Sequence, residues 1–242
     1  MDGLILIDKP VGWTSFDVVG KIRGLIERSP QRTDHKKRFS VGHTGTLDPL
    51  ASGLLVLLLG RATKYAPQLT KLDKTYEVTM RLGMISTTGD EEGTKTTVSD
   101  ERPGRAIIEE TLPQFTGLIQ QTPPPFSAIK VHGKRAYQLA RSGRTPALQP
   151  RTVHVYWLSL RRYAYPNVDI TVRVSSGTYI RSLVADIGRK LGTGAYTTTL
   201  RRTHVGKFQL TDALAMERVG IETLQRSLID VRTLPLNKAP AA

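Results

Sequence analysis

Six consecutive apolar residues, Leu54-Leu55-Val56-Leu57-Leu58-Leu59, lie between Gly53 and Gly60. An uninterrupted run of that length, closed by a glycine, reads as a strand buried on both faces. The chain has room for the core such a strand requires: it is 242 residues long and 39% hydrophobic. That length allows one large domain, or one domain with a small appendage.

Directly upstream lies Gly42-His43-Thr44-Gly45-Thr46-Leu47-Asp48-Pro49-Leu50-Ala51-Ser52-Gly53. A single carboxylate sits in a loop loosened by glycines and stiffened by one proline. Loops at the mouth of a buried strand are where sites tend to be built. Asp before Pro is also a common turn pair whose side chain can simply bond backbone N–H groups. The loop is not a phosphate-binding P-loop, because Gly-Lys-Ser/Thr is missing. No second carboxylate lies nearby for glycosidase-type chemistry.

Charge narrows the partner. Lys and Arg total 35 against 21 Asp and Glu, a net charge of +14. A chain this basic usually meets a polyanion, most often nucleic acid. Between Glu110 and Asp169 there is no acid, yet Lys130, Lys134, Arg135, Arg141, Arg144, Arg151, Arg161 and Arg162 all fall there. Residues 73 to 110 instead carry nine acids and five bases. Segregated sign suggests a basic face that follows phosphates and a separate solvated face.

There is no cysteine, which rules out disulfides, thiolate metal sites and a Cys nucleophile. His43 has no His or Cys at zinc-ligand spacing, so it reads as a loop hydrogen-bonder or an RNA contact. The longest apolar run is too short for a bilayer, and Met1-Asp2-Gly3 lacks the basic start of a signal peptide. The expectation is a cytoplasmic protein with no membrane association.

The remaining pattern predicts an α+β fold with a mixed, mostly antiparallel central sheet flanked by helices. Strands are expected at 3–8, 54–59, 73–82, 126–131, 153–160 and 168–174, with strand and loop over 195–208. A helix capped by Thr14 or Ser15 is expected to run to about Arg28. Others are expected over 61–69, 105–112, 134–141 and 180–191, with a short one capped by Thr211. Residues 29–38 read as a basic loop and 86–102 as a polar surface loop. Arg181 falls in the first turn of its helix, where the macrodipole disfavours a cation. It therefore gains from an anion, either a phosphate or a buried carboxylate. Tyr76 lies on the apolar face of its strand and reads as a core aromatic or as a platform for a flipped base. Leu200 alone reads as ordinary core.

Six stretches occur together in one order. They are Lys9-Pro10-Val11-Gly12-Trp13-Thr14-Ser15, the Gly42–Gly53 loop, Lys74-Thr75-Tyr76, Pro124-Pro125-Phe126-Ser127-Ala128-Ile129-Lys130, Gly177-Thr178-Tyr179-Ile180-Arg181-Ser182-Leu183, and the segment 200–208. In that order and register the chain resembles the TruB family of tRNA pseudouridine synthases over residues 1 to 230.

The resemblance implies base-flipping isomerisation of the uridine at position 55 in the tRNA T-arm, without metal or organic cofactor. It makes Asp48 the essential nucleophile, with attack on ribose C1′ and a glycal route both open. Tyr76 would stack on the base, Arg181 would hold Asp48, and Tyr179 and Leu200 would line the base pocket. His43, Lys9 and Lys130 would contact RNA. It implies a catalytic domain over 1–210 with a basic thumb insertion at 124–152, then a C-terminal helix and tail over 211–242.

Two departures stand out. Phe126 replaces a more usual Tyr. Ala242 falls about where relatives continue into a small RNA-binding PUA domain: either the protein naturally lacks that domain or the chain is cut short. The tRNA T-arm would be its partner, with the protein a monomer and no obligate protein partner. The rival readings are a non-catalytic RNA-binding or RNA-folding module and an enzyme guided by a ribonucleoprotein.

Overall fold

The computed structural model describes residues 1–30, 37–127, 129–131, 133–144 and 146–234. Most of the basic loop expected at 29–38 and the end of the polar tail lie outside them. In chain order come β1 (Gly3–Lys9), α1 (Ser15–Glu27), β2 (Val41–His43), β3 (Ser52–Leu59), α2 (Ala66–Leu69), β4 (Lys74–Leu82), β5 (Met84–Ser86) and β6 (Lys95–Thr97). Next are α3 (Arg105–Thr111), β7 (Gly117–Gln121), β8 (Lys130–Val131), β9 (Lys134–Arg135), α4 (Ala136–Arg141), β10 (Arg151–Ala164) and β11 (Asn167–Val174). The chain ends with α5 (Ile180–Lys190), β12 (Ala195–Val205), β13 (Phe208–Gln209), β14 (Leu214–Ala215) and α6 (Ile221–Arg226). No helix among the described residues is long and apolar enough to cross a membrane.

Two compact units form, one from 1–74 with 201–242 and the other from 75–200. In the first, β1 lies antiparallel to β3 from Gly3↔Leu59 to Lys9↔Gly53. Strand β2 flanks β3 antiparallel, while β14 pairs with β1 in parallel. Every residue of β3 from Gly53 to Leu59 is buried, as the apolar run predicts. Its inward set, Leu54, Val56 and Leu58, packs with Leu4, Leu6, Leu69, Val205 and Phe208. Burying one such Leu is worth about 1.5–3 kcal/mol, so this single strand anchors the unit.

Helix α1 starts where the sequence allows two caps, and the structure uses Thr14. Its side chain accepts from the Asp17 N–H, and the Asp17 carboxylate accepts in return from the Thr14 N–H. Val18, Val19, Ile22 and Ile26 form the buried stripe.

The second unit is a meander. Strand β10 lies antiparallel to β11 and, on its other side, to β7. Val168, Ile170, Val172 and Val174 alternate inward, and α5 contributes buried Ile180, Leu183, Val184 and Ile187. The α+β, mostly antiparallel expectation holds.

Several local expectations need correction. Residues 86–102 are not simply a surface loop: β5 and β6 form a hairpin, and Asp90 between them is buried. Of the strand expected at 126–131, the described residues form β8. Among the described residues it pairs with β9 alone, and α4 begins two residues later than its basic pattern suggests. Strand β7 was missed, its Gly117, Gln120 and Gln121 masking the alternation. The segment 61–69 is a 3₁₀ turn continued by α2, because Pro67 supplies no N–H to an earlier turn. Thr211 lies inside a 3₁₀ turn, and the terminal helix is α6.

Candidate active site

The loop that carries Asp48 is held from several directions within the first unit. The Ala51 N–H donates to the Asp48 carbonyl at 3.0 Å, closing a turn with Pro49 inside it. The turn reading and the site reading of Asp48-Pro49 are therefore compatible: the turn is closed by backbone groups, and the Asp48 side chain is half-buried. The Thr44 N–H donates to the Val56 carbonyl at 3.1 Å. Buried Ser15 accepts from the Leu47 N–H at 2.8 Å and donates to the Leu47 carbonyl at 3.2 Å. The Gly12 N–H reaches the Pro49 carbonyl at 2.8 Å, so the turn after β1 is stitched to the loop as well.

Three buried cations brace this region. Arg202, 1% exposed, donates to the Leu54 carbonyl at 2.7 Å and the Gly45 carbonyl at 3.1 Å, spanning the loop from end to end. Lys9 is 0% exposed, and its ammonium donates to the Pro10 and Trp13 carbonyls at 2.9 and 2.6 Å. Lys74 donates to the Thr70 and Leu72 carbonyls, both at 2.6 Å. Burial lowers the Lys9 ammonium to about 8; the charge of Asp48 works against that shift and Arg202 adds to it. Lys74 is likewise brought down to about 8 by burial and then by Arg202.

Glycine is required where β3 meets β12. Arg202 of β12 pairs in parallel with Gly53, and a Cβ there would stand 2.3 Å from the Arg202 carbonyl oxygen. Gly53 also has φ of +102°, a conformation that L side chains rarely adopt.

His43 ends β2, one residue before the loop turns. Its Nδ1 accepts from the Gly45 N–H at 3.3 Å, so in the neutral ring the proton sits on Nε2. Burial and then the Arg202 charge lower its pKa, so the ring is neutral at neutral pH.

The second unit carries the other named residues. Tyr76 is buried on β4, 8% exposed, and Leu200 is buried near the end of the unit. Arg181 does occupy the second position of α5, and it is buried. Its guanidinium donates to the Thr88 carbonyl at 2.9 Å, the Asp90 carboxylate at 3.1 Å and the Phe126 carbonyl at 2.9 Å. The same carboxylate accepts from Thr88 Oγ1 and the Glu92 N–H. A cation at the wrong end of a helix thus has a buried carboxylate partner, as the dipole argument requires.

Sequence reasoning missed that partner. The Thr87-Thr88-Gly89-Asp90 turn was the available signal, since a turn glycine before an acid suits a side chain folded back on its own loop.

Tyr179 sits just before α5, held by a reciprocal pair with Gln121: its N–H donates at 2.7 Å and its carbonyl accepts at 3.0 Å. The Arg151 guanidinium lies 4.8 Å from the centre of the Tyr179 ring. Lys130 is exposed on β8. Lys9, His43 and Asp48 therefore share the first unit, and Tyr76, Lys130, Tyr179, Arg181 and Leu200 the second.

Known proteins with these features form a coherent group. Residues 32–180 match the model of the TruB family pseudouridylate synthase N-terminal domain, and 181–239 match the tRNA pseudouridylate synthase B C-terminal domain. The tRNA pseudouridine synthase B of Burkholderia mallei is 43% identical over 98% of this chain and 74% of its own length. That of Pseudomonas fluorescens is 42% identical over 90% of this chain and 68% of its own. Among solved structures, a chain of the Cbf5-Nop10-Gar1 complex superposes with a TM-score of 0.67 at 30% identity. The superposition covers 89% of this chain and 52% of that one, so the chain spans about half the length of its structural relative. A near-complete match at this identity leaves one assignment: the chain belongs to the TruB family of pseudouridylate synthases.

Proposed function

We propose that this chain isomerises uridine to pseudouridine in the T-arm of tRNA, at position 55, with Asp48 as the catalytic carboxylate. The reaction breaks the N1–C1′ glycosidic bond, turns the uracil and forms a C5–C1′ bond. The C5 proton leaves to solvent and N1 gains one, so the product is an isomer and no net redox change occurs. A carboxylate is the group such chemistry needs, either as nucleophile at C1′ or as base for a glycal route. The observation that carries the reading is the Asp48 loop itself. Backbone bonds, Ser15 and Arg202 fix it, so a flipped nucleotide would meet a preorganised acid.

In this reading Tyr76 stacks on the flipped base and assists removal of the C5 proton. Tyr179 and Leu200 border the base, and Arg181 holds Asp48 as well as its own partner Asp90. His43 offers Nε2–H to the T-loop, and exposed Lys130 meets phosphate on the basic insertion at 124–152. Lys9, whose ammonium is turned inward, serves RNA through the turn it braces. No cofactor, metal or obligate protein partner takes part.

The test is release of tritium from carbon-5-labelled uridine in a T-arm stem-loop by the purified chain. Release stoichiometric with pseudouridine formation is expected. No release at any salt concentration would overturn the proposal.

A further inference from the structure

Phe16 is a large apolar side chain in the first turn of α1, yet it is 70% exposed. The helix buries its stripe through Val18, Val19, Ile22 and Ile26, and Phe16 stands off that stripe. Its ring meets His43 edge to face, with centroids 5.8 Å apart and planes at 83°. A T-shaped pair leaves at least one ring face uncovered by the other.

The placement is fixed by backbone and not by the Phe16 ring. Residues 9 to 15 are tied to the Asp48 loop by Gly12 on the Pro49 carbonyl and by Ser15 on both polar groups of Leu47. Lys9 braces the turn between them from below. An exposed aromatic ring is thus presented beside the loop that carries Asp48 and against the ring of His43. Val11, in the turn after β1, is also exposed, at 65%. Two apolar side chains make too little area for a stable protein interface. One ring held in place is sufficient for one unpaired base, because every base has a π-face.

We infer that Phe16 is a further substrate-contact residue: its exposed ring, set against His43, offers a face on which an unpaired base of the RNA stacks when Asp48 engages its uridine. This rests on the RNA-modifying reading above. Losing the stack of one base on one aromatic side chain costs about five- to a hundredfold in affinity.

The experiment compares wild type, Phe16→Ala, Phe16→Leu and Phe16→Trp by tritium release from the T-arm stem-loop. Equilibrium binding of the same RNA is measured in an Asp48→Asn background. Phe16→Ala is expected to raise KM and Kd about tenfold, with kcat within twofold and an unchanged unfolding midpoint. Phe16→Trp should restore both constants, while Phe16→Leu, apolar but without a π-face, should not. Unchanged KM and Kd in Phe16→Ala, or full rescue by Leu, would overturn the assignment. A wild type that binds RNA but releases no tritium would sink the proposed reaction, while the binding series would still decide the role of Phe16.

Discussion

The Asp48 loop and the 130–135 hairpin are both rich in positive charge, and they use it in opposite ways. Around the loop, Lys9, Lys74 and Arg202 are buried and each donates to two backbone carbonyls. On the hairpin, Lys130, Lys134 and Arg135 are exposed on a two-residue ladder. The first set fixes a backbone that must present one carboxylate accurately, and its low solvation lowers both lysines to about 8. The second set keeps its hydration and is suited to long-range attraction of a polyanion. A net charge of +14 is therefore not a single signal: part of it braces backbone from inside and part of it stays exposed to solvent.

The contrast can be broken by substitution. The largest effect is expected at the buried Arg181–Asp90 pair, the same inward use of charge in the second unit. Asp90→Ala removes the carboxylate that Arg181, Thr88 and the Glu92 N–H all use, and should cost about 3 kcal/mol or more in denaturant unfolding. A loss within 0.5 kcal/mol, about what an ordinary surface change produces, would place Asp90 outside the structural core of the site.

Neutralising Lys130 and Lys134 together should leave stability within about 0.5 kcal/mol. It should lower the salt slope of RNA binding by about 1.5 units, from the phosphates no longer neutralised. An unchanged slope would remove the hairpin from the RNA surface.

The inward use of charge also predicts a pH dependence. The folded-state pKa of Lys74 lies below its unfolded value, so the unfolded chain binds more protons between pH 8 and 10.5. Stability contributed at this site should rise with pH across that window, as the buried charge is relieved. Relative to Lys74→Met, wild type should therefore gain stability from pH 8 to pH 10. A flat difference would mean that the ammonium is better solvated than its burial indicates.

Much of the framework was legible because apolar periodicity is a strong signal. Leu54–Leu59 could only be placed with both faces covered, and the Ile180, Leu183, Val184, Ile187 spacing located α5. The position of Arg181 was legible for an electrostatic reason, since a cation in a first helical turn needs an anion. What stayed hidden was the use of charged residues as internal braces. Asp90 lies in an acidic, Thr-rich segment that reads as solvated, and only tertiary folding turns its carboxylate inward. Lys9 carries nothing in its local sequence to distinguish a buried ammonium from a phosphate contact. Strand β7 escaped because its edge position tolerates Gly117 and two glutamines that weaken the alternation.

In the proposed reaction the braced loop presents the Asp48 carboxylate to uridine. Asp48→Asn keeps the shape of the side chain and removes its charge and basicity. Tritium release from the T-arm stem-loop should disappear while RNA affinity and the unfolding midpoint stay within a few fold and a few degrees of wild type. Retained turnover, or joint loss of turnover and binding, would contradict the account and leave Asp48 a structural residue of its turn.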